Sequence, residues 1–162
     1  MTDKNSFLPT FSIFIIVTFL FACGQVNSSK NVSQIENSKP SDQQLKIDTF
    51  STFPPEIDGC SCYFSNDSID FKNSTYIFAN DFAQISFLKI NGFMTKFTQI
   101  DFKKIDEANT YVQYKSEEYE MTIEVKSGKQ SGDETQLKTG TIKLTDKKGS
   151  TLIKDFYGEC GC

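Results

Sequence analysis

Four of the five cysteines stand in two Cys-x-Cys pairs, Cys60/Cys62 within DGCSCYF and Cys160/Cys162 within FYGECGC. Three kinds of chemistry use such pairs. Disulfides between them lock a fold. Four thiolates can hold zinc or a soft ion such as copper(I). A Cys-x-Cys pair can also form a strained internal disulfide that exchanges readily in a redox protein. Spacing and surroundings separate these. Structural zinc takes pairs with more residues between them than the single Ser61 or Gly161 found here. A reactive thiol needs positive surroundings to lower its pKa, whereas Asp58 and Glu159 would raise it. Structural disulfides are therefore the expectation, with no metal and no cofactor.

Alternate residues of a strand share a face. Cys60 and Cys62 therefore face one way, as do Cys160 and Cys162. If the first and last strands are antiparallel neighbours, Cys60 can face Cys162 and Cys62 can face Cys160. Opposed residues in non-hydrogen-bonded pairs have Cα atoms about 4.5 Å apart, within reach of a disulfide. Each bridge would close a loop of roughly 100 residues and stabilise by about 4–5 kcal/mol through loop-closure entropy, without full additivity for two nested bridges. The other connectivities of four cysteines stay open at this point.

Much catalytic chemistry is missing. The chain has no histidine and no arginine. This removes the usual general base near neutral pH, the Ser-His-Asp and Cys-His arrangements and His-ligated metals. It also removes bidentate clamps for phosphate. Glu117, Glu118, Glu120, Asp106 and Glu107 read as solvated carboxylates on a turn and a polar strand face, and no catalytic residue is expected. NDSIDF, residues 66–71, lacks the full calcium-loop pattern and reads as a loop. A formal charge of −4 argues against nucleic acid as a partner.

The elements that must position the cysteines are nearly all strands. Asn91-Gly92 is a strong two-residue hairpin signal, because both positions of its turn need positive φ. It pairs Ile90 with Phe93, Leu88 with Thr95 and Ser86 with Phe97. A turn is expected at Asn80-Asp81. Tyr119, Met121, Ile123 and Val125 alternate with polar residues, as in a half-buried strand. Asp146 to Gly149 reads as the turn of a last hairpin, and residues 101–110 as a place for a short helical turn. The expectation is an all-β domain over residues 46–162, an antiparallel sandwich or small barrel of seven to eight strands, closed by disulfides between the first and last.

Ahead of this domain, Phe7 to Ala22 form an apolar run that is short for a membrane span and fits an export signal. Leu20-Phe21-Ala22-Cys23 resembles the lipobox of bacterial lipoproteins. The resemblance implies a signal peptide over residues 1–22, cleavage before Cys23 and lipidation of its thiol. It further implies a cell-envelope location on a membrane, the outer membrane being the expectation, with the lipid anchor as the membrane contact. Residues 23–45 then form the lipidated cysteine and a polar tether too poor in apolar residues to order itself. The exported setting permits disulfides. The paired Cys-x-Cys frame also resembles that of small, uncharacterised envelope proteins.

Residues 126–140, KSGKQSGDETQLKTG, read as a long polar loop, and such loops often carry binding. Ser127-Gly128-Lys129 and Ser131-Gly132 are similar to the Ser-Gly loops with a nearby Lys of small β-barrel lipoproteins that inhibit lysozymes. That resemblance implies a binding loop at Ser127, Gly128, Lys129 and Ser131. The function expected first is a non-catalytic binding or interaction module with an unknown protein or glycan partner. A thiol-redox or soft-metal protein and a lysozyme inhibitor are the alternatives.

Overall fold

The computed structural model describes residues 44–162, which form an antiparallel β-barrel. Its hairpins follow their turn chemistry. Asn91 and Gly92 take φ of 49° and 88° and join β4 (Ile85–Ile90) to β5 (Phe93–Lys104). The register is the one the turn requires, with Ile90 opposite Phe93, Leu88 opposite Thr95 and Ser86 opposite Phe97. Asp146 closes the turn between β8 (Thr135–Asp146) and β9 (Thr151–Gly161), its carboxylate accepting from the amides of Lys148 and Ser150.

The remaining strands are β1 (Ile47–Asp48), β2 (Ser61–Ser65), β3 (Phe78–Asn80), β6 (Asn109–Lys115) and β7 (Tyr119–Gln130). From β2 to β9 each strand pairs with the next in sequence, and β9 pairs back onto β2. The result is a closed up-and-down ring of eight strands, a barrel and not a sandwich. The short β1 is an extra strand. It pairs with β4 at Ile90 and Lys89, beyond the point where β3 stops pairing at Leu88. Each strand of the ring has both neighbours within residues 44–162, so the domain carries its own core and leaves no ring edge open.

Alternation puts Phe64, Phe78, Leu88, Phe97, Met121, Ile123, Ile142, Leu144 and Phe156 inside, all at most 3 % exposed. Burying each such side chain contributes about 1.5–3 kcal/mol. Phe64 stacks on Phe156 at 4.1 Å and on Phe78 at 5.0 Å between centroids. Two glycines make room for this layer. A Cβ on Gly140 would lie 3.0 Å from the Phe156 ring, and one on Gly158 would lie 2.8 Å from Phe64 Cα. Outside the ring, Phe53, Tyr63, Phe71 and Tyr76 form a second aromatic cluster, with Phe53 stacked on Tyr76 at 4.9 Å and Tyr63 on Phe71 at 5.6 Å.

Several expectations are corrected. Residues 66–71 are not a loop. They carry the N-cap Asp67, which accepts from the amides of Ile69 and Asp70, and most of a one-turn helix, α1 (Ser68–Lys72). Residues 101–110 hold no helical turn, because β5 runs to Lys104 and pairs with β6 across a short turn in which Asp106 caps the amides of Ala108 and Asn109. The long loop expected at 126–140 is mostly strand. β7 continues to Gln130 and β8 begins at Thr135. The ladder between them supplies backbone hydrogen bonds that the polar composition concealed. Leu45, placed at the end of the tether by its neighbours' polarity, is 9 % exposed and belongs to the core cluster. Residues 1–22, Cys23 and the tether up to residue 43 lie outside the described residues.

Candidate functional site

The inward stripes change character along the strands. On β8 the same face carries Leu144, Ile142, Gly140, Lys138 and Gln136, and on β7 it carries Met121, Ile123, Val125 and Ser127. Apolar residues fill one end of the ring and polar ones line the other. The filled end has the Asn91-Gly92 turn and the Asp146–Gly149 turn. The polar end gathers the β3–β4, β5–β6 and β7–β8 connections with both cysteine pairs.

At that end the barrel opens into a cup of about 630 Å³. Phe64, Phe78, Val112, Tyr114 and Ile123 line its lower part, and Asn80, Gln99, Thr110, Ser127, Gln136 and Lys138 its upper part. Phe82 and Phe102 also line it and are about half exposed at the rim. An eight-stranded barrel has an interior just wide enough to be filled by side chains or to hold one small ligand. Here it does the first at one end and leaves space for the second at the other.

The cysteines build one wall. Cys60 is bonded to Cys162 and Cys62 to Cys160, with Cα separations of 4.1 and 4.0 Å. The Cys62 amide points away from β9 and donates to Asn80 Oδ1 at 3.0 Å, so Cys62 and Cys160 form a non-hydrogen-bonded pair, the closer kind. The two bridges stack along the β2–β9 seam. Cys60–Cys162 is exposed at the rim, and Cys62–Cys160, 7 % and 8 % exposed, lies one step deeper in the cup wall. They join the first and last strands of the ring, and their four sulfurs are bonded pairwise.

Polar groups in the cup are held in fixed positions. Asn80 bridges the β2 amide at Cys62 and the Tyr114 hydroxyl, to which its Nδ2 donates at 3.3 Å. Burial pushes the Tyr114 phenol above its ordinary pKa. Lys138 Nζ donates to Ser127 Oγ at 2.7 Å and to Gln136 Oε1 at 2.6 Å. Gln136 in turn donates to the Gly128 carbonyl at 3.0 Å. Burial lowers the Lys138 pKa.

The expected binding residues are divided. Ser127 faces the cup and is held by Lys138. Gly128 and Lys129 lie at the irregular end of the β7–β8 ladder, where the register shifts between Ser127 and Gln130. Lys129 is exposed, and Ser131 opens the short turn with its hydroxyl 3.0 Å from Thr135 Oγ1. These residues do not form one loop. Lys138, Asn80 and Tyr114 were missed by sequence reasoning. The available signal was the run Gln136, Lys138, Gly140, Ile142, Leu144, a period-two stripe that turns from polar to apolar. No protein family, curated protein or solved structure matches the chain.

Proposed function

We propose that this chain is a lipid-anchored protein of the cell envelope whose barrel is a non-catalytic binding module, with the open cup as its binding site. One observation carries the reading. The core fills only one end of a closed barrel, and the other end keeps about 630 Å³ of space with apolar lower walls and fixed polar groups above. Ligand sites are commonly concave, of about 300–1,000 Å³, mostly apolar and marked by a few placed polar groups. The anchor rests on Leu20-Phe21-Ala22-Cys23, and the tether would let the domain work at a distance from the bilayer surface. The disulfides act as scaffold by holding the β2–β9 wall, which disfavours the thiol-redox and soft-metal alternative.

The test uses residues 24–162, exported to an oxidising compartment and titrated with an environment-sensitive apolar dye. Dye should bind in the cup, and Val125→Trp, which fills the cup from its wall, should abolish binding while both disulfides persist by mass. Dye binding that Val125→Trp leaves unchanged would remove the reading.

A further inference from the structure

Lys138 is the only cation among the described residues that line the cup. Its ammonium has three protons to donate. Two go to neutral acceptors, Ser127 Oγ and Gln136 Oε1. Among the described residues no carboxylate lies within ion-pair distance of it. Glu134, on the same rim, is exposed and makes no ion pair with it. Burial lowers the Lys138 pKa. A partly desolvated charge without a counter-ion is costly unless something supplies one. Below it, Phe64, Phe78, Val112 and Ile123 are apolar and the Tyr114 hydroxyl accepts from Asn80, and at the rim Phe82 and Phe102 extend the apolar wall to solvent.

Resting on the reading of the cup as a binding site, we propose that its ligand is an amphiphile with a single anionic head. The head takes the free proton of Lys138 at the mouth, and the apolar body reaches down to the Phe64–Phe78 layer. Carboxylate is the simplest such head, because one ammonium balances one charge.

The probes are dodecanoate, dodecanol and dodecyltrimethylammonium, titrated by calorimetry below their aggregation concentrations into residues 24–162. Dodecanoate should bind, and the cation should bind at least about tenfold more weakly, the scale of one charge-assisted hydrogen bond. Lys138→Met should weaken dodecanoate by a similar factor and leave dodecanol unchanged. Lys138→Gln, which keeps a donor without the charge, should do the same and replaces the first variant if that fails to fold. If all three probes bind alike and neither variant changes dodecanoate, the anionic head is wrong while the cup survives as a site. If no probe binds and the dye also ignores Val125→Trp, the cup itself is refuted.

Discussion

Lys138 and Ser127 face each other directly across the β7–β8 ladder, with Nζ 2.7 Å from Oγ. This pair stands one step inside Gln136, which itself pairs with Cys160 of the deeper disulfide. A cation, its neutral holders and a disulfide therefore share the upper part of one cup. The position follows from register. A shift of one residue in β8 would turn Lys138 outward and bring Leu137 or Thr139 into the cup.

The two disulfides should differ in accessibility. Cys60–Cys162 is exposed and Cys62–Cys160 is buried. Under limiting reductant with timed alkylation, adducts should appear on Cys60 and Cys162 first. Peptide mapping checks the order, and equal rates would contradict the placement of the second bridge inside the wall.

Nested bridges should not add. A single bridge across roughly 100 residues contributes about 4.7 kcal/mol by loop-closure entropy, and a second beside it closes little further chain. Replacing Cys60 and Cys162 with alanine should therefore cost far less in urea denaturation than replacing all four cysteines.

Gly158→Ala should be destabilising. Its Cβ would enter the space of the Tyr63 carbonyl and lie 2.8 Å from Phe64 Cα, so backbone must move. Overpacking of this kind costs about 1–3 kcal/mol, occasionally more. Gly128→Ala is the comparison. Its nearest neighbour would be the Leu137 carbonyl at 3.3 Å, and its cost should be smaller. Denaturant midpoints at constant slope check both.

Acid should weaken the turns. Asp106 is held below its ordinary 3.8 by hydrogen bonds from the Asn109 side chain and from the Ala108 and Asn109 amides. Asp48 is lowered by its hydrogen bond with Lys46 and by the Gly92 amide. Asp146 is raised by burial, but bonds from Ser150 and Lys148 outweigh this and lower it. For groups with depressed folded values, the unfolded chain takes up protons first as pH falls. Their stabilisation is present above 3.8 and lost as pH drops through the folded values. All three are solvent-accessible, so the effect is small for each. Thermal midpoints should be flat from neutral pH to about pH 5 and decline below pH 4, and Asp106→Asn should flatten part of that decline.

Local rules carried much of the fold. Asn91-Gly92 set a turn and with it the register of β4 against β5, because few residues accept positive φ twice in succession. Alternation over Tyr119–Val125 marked β7, and the matched Cys-x-Cys pairs indicated which strands meet, since a disulfide has a short reach. The rest was not local. Residues 126–140 are mostly polar near the barrel rim, so their own composition hid the strand, and the period-two stripe from Gln136 turns apolar only beyond Gly140. The α1 helix is a single turn, too short for a periodic signal.

By itself the sequence determined an all-β domain, a cysteine spacing that two neighbouring end strands could bridge, and the absence of histidine and arginine chemistry, all of which depend on residue type and close spacing. Only the tertiary structure decided that the strands close into a ring. It alone determined that the core stops part-way along that ring, and that Lys138, Asn80 and Tyr114 line one cup. The physical reason is that closure sums the register of every ladder around the barrel, a property held by no single segment.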